Sequence, residues 1–159
     1  MSQRIDYQKQ SPELFKKLIE FSLALKQCAI EQPIRDLVDI RASQINGCAF
    51  CVDMHVKEAT IHGERPLRLH HVVTWRESTL FSPRERAALE WTEILTAIPA
   101  QGVPDDIYER VRSQFSEKEL SDLTFQIMSI NAWNRINIGF RVVPGSYDKA
   151  FGVDKSGLA

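Results

Sequence analysis

The stretch Asn46-Gly47-Cys48-Ala49-Phe50-Cys51-Val52-Asp53-Met54-His55 sets two thiols and an imidazole at spacings of three and four residues. On a helix turning about 100° per residue, positions 48, 51 and 55 fall within a sector of roughly 60°. The three groups therefore share one face. Cys48 and Cys51 lie one turn apart, close enough to form a disulfide, and His55 lies one turn beyond. A thiolate is the nucleophile in such chemistry, and an ordinary thiol is mostly protonated near neutrality. A helix amino terminus offers unpaired N–H groups and partial positive charge that stabilise the anion. His55, with an ordinary pKa near 6.5, could take the proton of Cys51. The second thiol would then close a disulfide and spare the first from over-oxidation.

Two tendencies compete over which sulfur attacks. The helix dipole favours a thiolate at Cys48, whereas the imidazole favours Cys51. Spacing leaves the choice open, and the expectation of Cys51 rests on a base being specific to one proton. Zinc is the competing use of Cys48, Cys51 and His55. A structural site takes four ligands, usually from two segments, and no second Cys or His pair has ligand spacing. The expectation is no metal and no cofactor beyond the redox-active pair. His62, His70 and His71 read as helix-end and surface residues. Cys28, after an apolar helical stretch, reads as packing.

The elements that must carry this face are helical. Ser11-Pro12-Glu13 opens a stretch with Leu14, Phe15, Leu18, Ile19 and Leu25 at helical spacing, and Pro33 opens a second through Ile34, Leu37, Val38 and Ile45. Asn46-Gly47 breaks the chain. A third helix is expected from Cys48 to His62 with Gly63 as a left-handed cap, and a fourth from Pro66 to near Trp75. Ser82-Pro83-Arg84-Glu85 and Ser116-Glu117-Lys118-Glu119 are capping boxes. The first launches a helix through Leu89, Trp91 and Leu95, and the second a long helix through Ile127, Ile130 and Trp133 toward Phe140. A short helix from Pro104 to about Phe115 lies between them. Period-two alternation is nearly absent, so the expected class is all-α, with about six to seven helices.

The 159 residues suit one domain, 1–159, with no repeat or linker. Hydrophobic residues at 43% and charged residues at 26% describe an ordinary globular chain. With 20 basic against 21 acidic residues there is no field to attract nucleic acid or anionic lipid, and neither is expected as a partner. No apolar run approaches the roughly 20 residues of a membrane span. The polar start, MSQRIDYQKQ, has no signal-peptide pattern, so a cytoplasmic, reducing location is expected. Three cysteines are too few for a disulfide scaffold, and two at Cys-x-x-Cys spacing point to redox or metal work.

The segment from Arg41 to His55, with Trp75-Arg76-Glu77-Ser78 and the capping box before Ala87-Ala88-Leu89, resembles the core of AhpD-like alkylhydroperoxidases of the carboxymuconolactone decarboxylase superfamily. The resemblance spans residues 12 to 100, with its core motif at roughly 33–100; the last third matches only as helical pattern. It implies an AhpD-like helical bundle assembled as a trimer or hexamer. It further implies a peroxide-reducing site in which Cys51 attacks, Cys48 resolves and His55 assists proton transfer. The family glutamate twelve residues before the first cysteine is Asp36 here, a carboxylate one methylene shorter. The histidine that better-known members carry between the cysteines is replaced by Ala49 and Phe50. The partners implied are a hydroperoxide substrate and a dithiol electron donor of lipoyl or thioredoxin type.

The expected function is thus a thiol peroxidase or disulfide oxidoreductase. The alternatives are a redox-responsive oligomeric module, or a decarboxylase acting on a cyclic lactone acid through acid–base groups. Trp75, Arg76 and Glu77 read as packing with a solvated rim, and Trp91 and Trp133 as core or subunit contact.

Overall fold

The structure, a computed structural model, describes residues 2–158. It is all-helical, and no strand occurs among the described residues. The helices are α1 (Tyr7–Gln10), α2 (Pro12–Leu25), α3 (Gln32–Asn46), α4 (Ala49–Ile61), α5 (Pro66–His71), α6 (Pro83–Thr96), α7 (Asp105–Arg112), α8 (Glu117–Phe140) and α9 (Asp148–Phe151). Short 3-10 turns follow α5 (Val72–Thr74) and α9 (Val153–Ser156). The seven longer helices answer the sequence pattern. The others, α1 and α9, have four residues each, too short for an apolar period to show.

The helix starts are chemical. Ser82 Oγ accepts from the Glu85 amide while the Glu85 carboxylate accepts from the Ser82 amide, and Ser116 and Glu119 repeat the exchange at α8. Each reciprocal pair satisfies two backbone donors that the helix itself cannot. Pro12, Pro33, Pro66 and Pro83 occupy first-turn positions, where no amide hydrogen is needed.

Helix α3 is the central element and packs against α4, α6 and α8. Its Ile34 and Val38 join Trp91, Leu123 and Ile127 in one core, while Leu37 and Ile40 join Trp75, Phe81 and Leu89 in a second. Ala42, near its end, joins Cys48, Phe50, Cys51, Ile130 and Val142 in a third. The thiols therefore sit within a packed core. Trp75 is buried, its indole N–H donating to Glu93 Oε1 at 2.8 Å, with the Arg76 guanidinium over the ring. Cys28 packs against the first core.

The turn between α3 and α4 positions the site. Gly47 has φ +69°, its amide donates to Gln44 O at 3.2 Å, and the Cys48 amide donates to Ser43 O at 2.9 Å. These two bonds form a Schellman closure of α3, which requires the left-handed residue that glycine supplies. The same closure recurs at Gly63, after α4. No helix among the described residues is long and apolar enough to cross a membrane.

Nothing lies within 4 Å of where a Cβ would sit on Gly47, so its requirement is conformational. Gly47→Ala is expected to cost about 1–2 kcal/mol through the left-handed conformation alone. In a chain of this size that lowers Tm by about 2–8 °C. Gly139, inside α8 with a similarly open Cβ position, behaves oppositely. Gly139→Ala should stabilise by about 0.5–1 kcal/mol, and thermal unfolding of the two variants checks both signs.

Candidate active site

Cys48 is the N-cap of α4, with extended backbone, and its Sγ accepts from the Cys51 amide at 3.4 Å. The Cys48 and Cys51 sulfurs are 2.8 Å apart, both residues are buried, and both are free thiols. The helical face expected from spacing thus brings the pair together.

Their environments differ. Cys48 is brought down to about 7, chiefly by the hydrogen bond with the Cys51 thiol, against the opposing effect of burial. The Cys51 amide and the charge of His55 add to the lowering. Cys51 is pushed strongly up, first by its bond to Cys48, then by burial and by the charge Cys48 would carry. The cap position and the Cys51 amide favour the first negative charge on Cys48, the sulfur at the helix start.

His55 stands one turn beyond Cys51, between two carboxylates. Its Nδ1–H donates to Glu58 Oε2 at 2.8 Å, and Asp39 Oδ2 is 3.8 Å away. Burial works against its protonation, but Asp39, Glu58 and Asp36 outweigh burial and raise it to about 9. The raised pKa favours the charged imidazolium near neutrality, a form that would act on Cys48 as a cation rather than accept the proton expected from Cys51.

Asp36, the position of the family carboxylate, is paired elsewhere. Its Oδ2 accepts from His62 Nδ1 at 2.8 Å, and burial raises its pKa despite that bond. The carboxylate beside His55 is Asp39, pushed by burial to about 6 and held by Gln126 Nε2 at 2.7 Å. Glu58 is held below the usual carboxylate range because His55 overcomes its burial. Sequence reading missed Asp39 and Glu58. The signal available was helical spacing, Asp39 three residues after Asp36 and Glu58 three after His55. His62 sits exposed at the α4 C-terminus, as expected, and pairs with Asp36 at the edge of this cluster.

A cavity of about 450 Å³ lies over the site. Tyr7, Phe15, Trp133 and Tyr147 give it aromatic walls, and His55 and Glu58 mark its charged end. Trp133, expected in the core or a subunit contact, is a half-buried wall residue whose indole donates to Ser22 Oγ at 2.9 Å. Phe50, Met54 and Asn137 line the cavity, whereas the buried Cys48 and Cys51 do not. Asn137 Nδ2 donates to Cys51 Sγ at 3.3 Å and so joins the cavity wall to the pair. Among the described residues no group of three or more His, Cys, Asp or Glu side chains is arranged to hold a metal ion.

The model of the carboxymuconolactone decarboxylase family matches residues 12–93. YdfG of Bacillus subtilis, an uncharacterized protein, is 44% identical over 138 residues, covering 87% of this chain and 94% of its own. The crystal structure of ATU0492 from Agrobacterium tumefaciens, a protein of unknown function regarded as a candidate antioxidant defence protein AhpD, superposes with a TM-score of 0.87 at 42% identity. That match covers 90% of this chain and 98% of the other. The debrominase Bmp8 has the same fold, with a TM-score of 0.79 at 17% identity, over 93% of this chain and 79% of its own.

Alkylation of Cys48 by iodoacetamide should rise with pH through a midpoint near 7. Glu58→Gln removes the carboxylate bonded to His55, so the imidazolium gives up its proton at lower pH and Cys48 loses its cation. The alkylation midpoint should then move up, and His55→Gln should move it in the same direction and further. An unmoved midpoint in both variants would show that His55 does not act on this thiol.

Proposed function

We propose that this chain, which belongs to the carboxymuconolactone decarboxylase family of AhpD-like helical proteins, is a thiol peroxidase that cycles between the Cys48–Cys51 dithiol and its disulfide. The observation that carries this reading is a capping sulfur, Cys48 Sγ, 2.8 Å from the sulfur that can trap it. The aromatic cavity beside the pair suits an organic hydroperoxide.

In the forward step the Cys48 thiolate attacks the terminal oxygen of the hydroperoxide. The S–O bond forms, the O–O bond breaks, and the alkoxide takes a proton from the His55 imidazolium to leave as an alcohol. Cys48 is now a sulfenic acid. Cys51 attacks its sulfur, the S–S bond forms, and hydroxide leaves with the Cys51 proton as water. A cellular dithiol, of the lipoyl or thioredoxin type that the family implies, restores the pair and is itself oxidised. A reducing cytoplasm suits such a resting dithiol. The trimer or hexamer implied by the family belongs to the same reading.

The family resemblance implies attack by Cys51 and resolution by Cys48. We assign the roles the other way, because the N–H and the imidazolium that stabilise an anion both act on Cys48. Asp36 enters as a rim carboxylate shared with His62, supplying protons to the cavity end where His55 stands. A second reading, acid–base decarboxylation of a lactone acid, draws on the carboxylate and imidazole groups lining the cavity. It would use neither thiol.

Stopped-flow reaction with cumene hydroperoxide separates these roles. Cys48→Ser should abolish peroxide consumption, whereas Cys51→Ser should retain a near-normal first oxidation and leave a trappable sulfenic acid on Cys48. Mass spectrometry of the wild-type chain should show loss of two hydrogens at the pair. The reverse pattern would return attack to Cys51. Lactone turnover that survives loss of both thiols would favour the decarboxylase.

A further inference from the structure

Helix α8 carries Asn131, Asn134 and Asn137 at three-residue spacing, all three buried. The first two join α8 to the end of α3. Asn46 Nδ2 donates to Asn131 Oδ1 at 3.0 Å and to Asn134 Oδ1 at 2.8 Å. Asn134 in turn donates to Ser43 Oγ at 3.0 Å, and Asn131 to Thr96 Oγ1 at 3.1 Å. Asn137 is aimed differently. Its Nδ2 donates to Cys51 Sγ at 3.3 Å, and its Oδ1 accepts from the Tyr7 hydroxyl at 3.4 Å.

A buried carboxamide donor usually meets an oxygen, because a neutral thiol is a weak acceptor. The Asn137 bond becomes strong only when Cys51 is charged. Tyr7 occupies the carboxamide oxygen, which leaves the N–H as the end presented to sulfur.

We propose that Asn137 is a catalytic residue of disulfide closure and opening, stabilising the Cys51 sulfur whenever it carries negative charge. The assignment rests on the dithiol cycle above. During closure the Cys48 sulfenic acid is uncharged, so the like charge that suppresses Cys51 ionisation is gone. Cys51 gives up its proton, its sulfur bonds to Cys48 Sγ, the S–O bond breaks, and hydroxide leaves with that proton as water. During reduction a donor dithiol attacks Cys48 Sγ through its thiolate. The S–S bond breaks and its electron pair goes to Cys51 Sγ, again beside the Asn137 N–H. The donor's second thiol then displaces Cys48, and the donor departs as its own disulfide.

The test is rapid quench of the full-length chain with cumene hydroperoxide, using dimedone to trap sulfenic acid and mass spectrometry to read both species. In Asn137→Asp and Asn137→Ser, closure should slow at least about tenfold and the dimedone adduct on Cys48 should accumulate. The first oxidation should slow less than closure, so that the ratio of the two rates falls at least about fivefold, a split that a general loss of packing would not produce. Tyr7→Phe, which keeps the carboxamide but frees it to turn, should shift the same way by less; it carries the test should both Asn137 variants fold poorly. Closure at the wild-type rate, or equal slowing of both steps, would overturn the proposal. Failure of the wild-type chain to form the disulfide with peroxide would instead sink the peroxidase reading. Asn137 would then be judged by dithiothreitol reduction of a diamide-formed disulfide, where slowing of about tenfold supports it and an unchanged rate refutes it.

Discussion

The Cys48 amide donates to Ser43 O while the Cys48 sulfur accepts from the Cys51 amide, so one residue both finishes α3 and opens α4. Neither half of that junction is optional. Gly47 must be left-handed for the first bond to form, and the extended backbone at Cys48 is what turns its side chain onto the first turn of α4. Helix α3 contributes to each of the three cores, so Cys48 is anchored to a helix held along its whole length. Its companion then follows one turn later by helical geometry alone. The sulfur separation is set by the backbone rather than by side-chain choice.

Charge is arranged around that junction in a definite order. Asp36 and Asp39 come from α3, Glu58 and His55 from α4, and His62 from the α4 terminus. Burying carboxylates is costly, and Asp36 and Asp39 show the cost as raised pKa values. Two of these carboxylates flank His55, and their combined effect exceeds its own burial, so the imidazole is kept charged. The cluster as a whole converts scattered acidic residues into one fixed cation beside a capping thiol.

Much of this was readable from residue order. The two capping boxes, the first-turn prolines and Asn46-Gly47 are local signals whose physics lies within four or five residues, and the structure follows them. The sulfur–sulfur pairing is likewise local. What residue order did not yield is set by partners far along the chain. Asn137 is 86 residues from Cys51, and Gln126 is 87 from Asp39, distances over which only packing decides who meets whom. The pairing of Asp36 with His62 was hidden for the same reason, since twenty-six residues separate them. The Asn131, Asn134, Asn137 series takes its meaning from the partners that packing brings to it.

That polar series explains how α8 packs against the site without leaving orphaned groups. Among the described residues every buried side-chain nitrogen and oxygen has a hydrogen-bond partner. An apolar ridge in the same place would have surrounded both sulfurs with hydrocarbon, raising each thiol's pKa alike. The actual surroundings treat the two unequally: both are buried, yet one is lowered and the other raised. Burial therefore does not set the order of ionisation; asymmetry of donors and charges does. Part of that asymmetry is the negative charge on Cys48 itself, so it vanishes once Cys48 is oxidised and the sulfur is neutral. In the proposed cycle the same fixed atoms would then favour a second thiolate where they had opposed it.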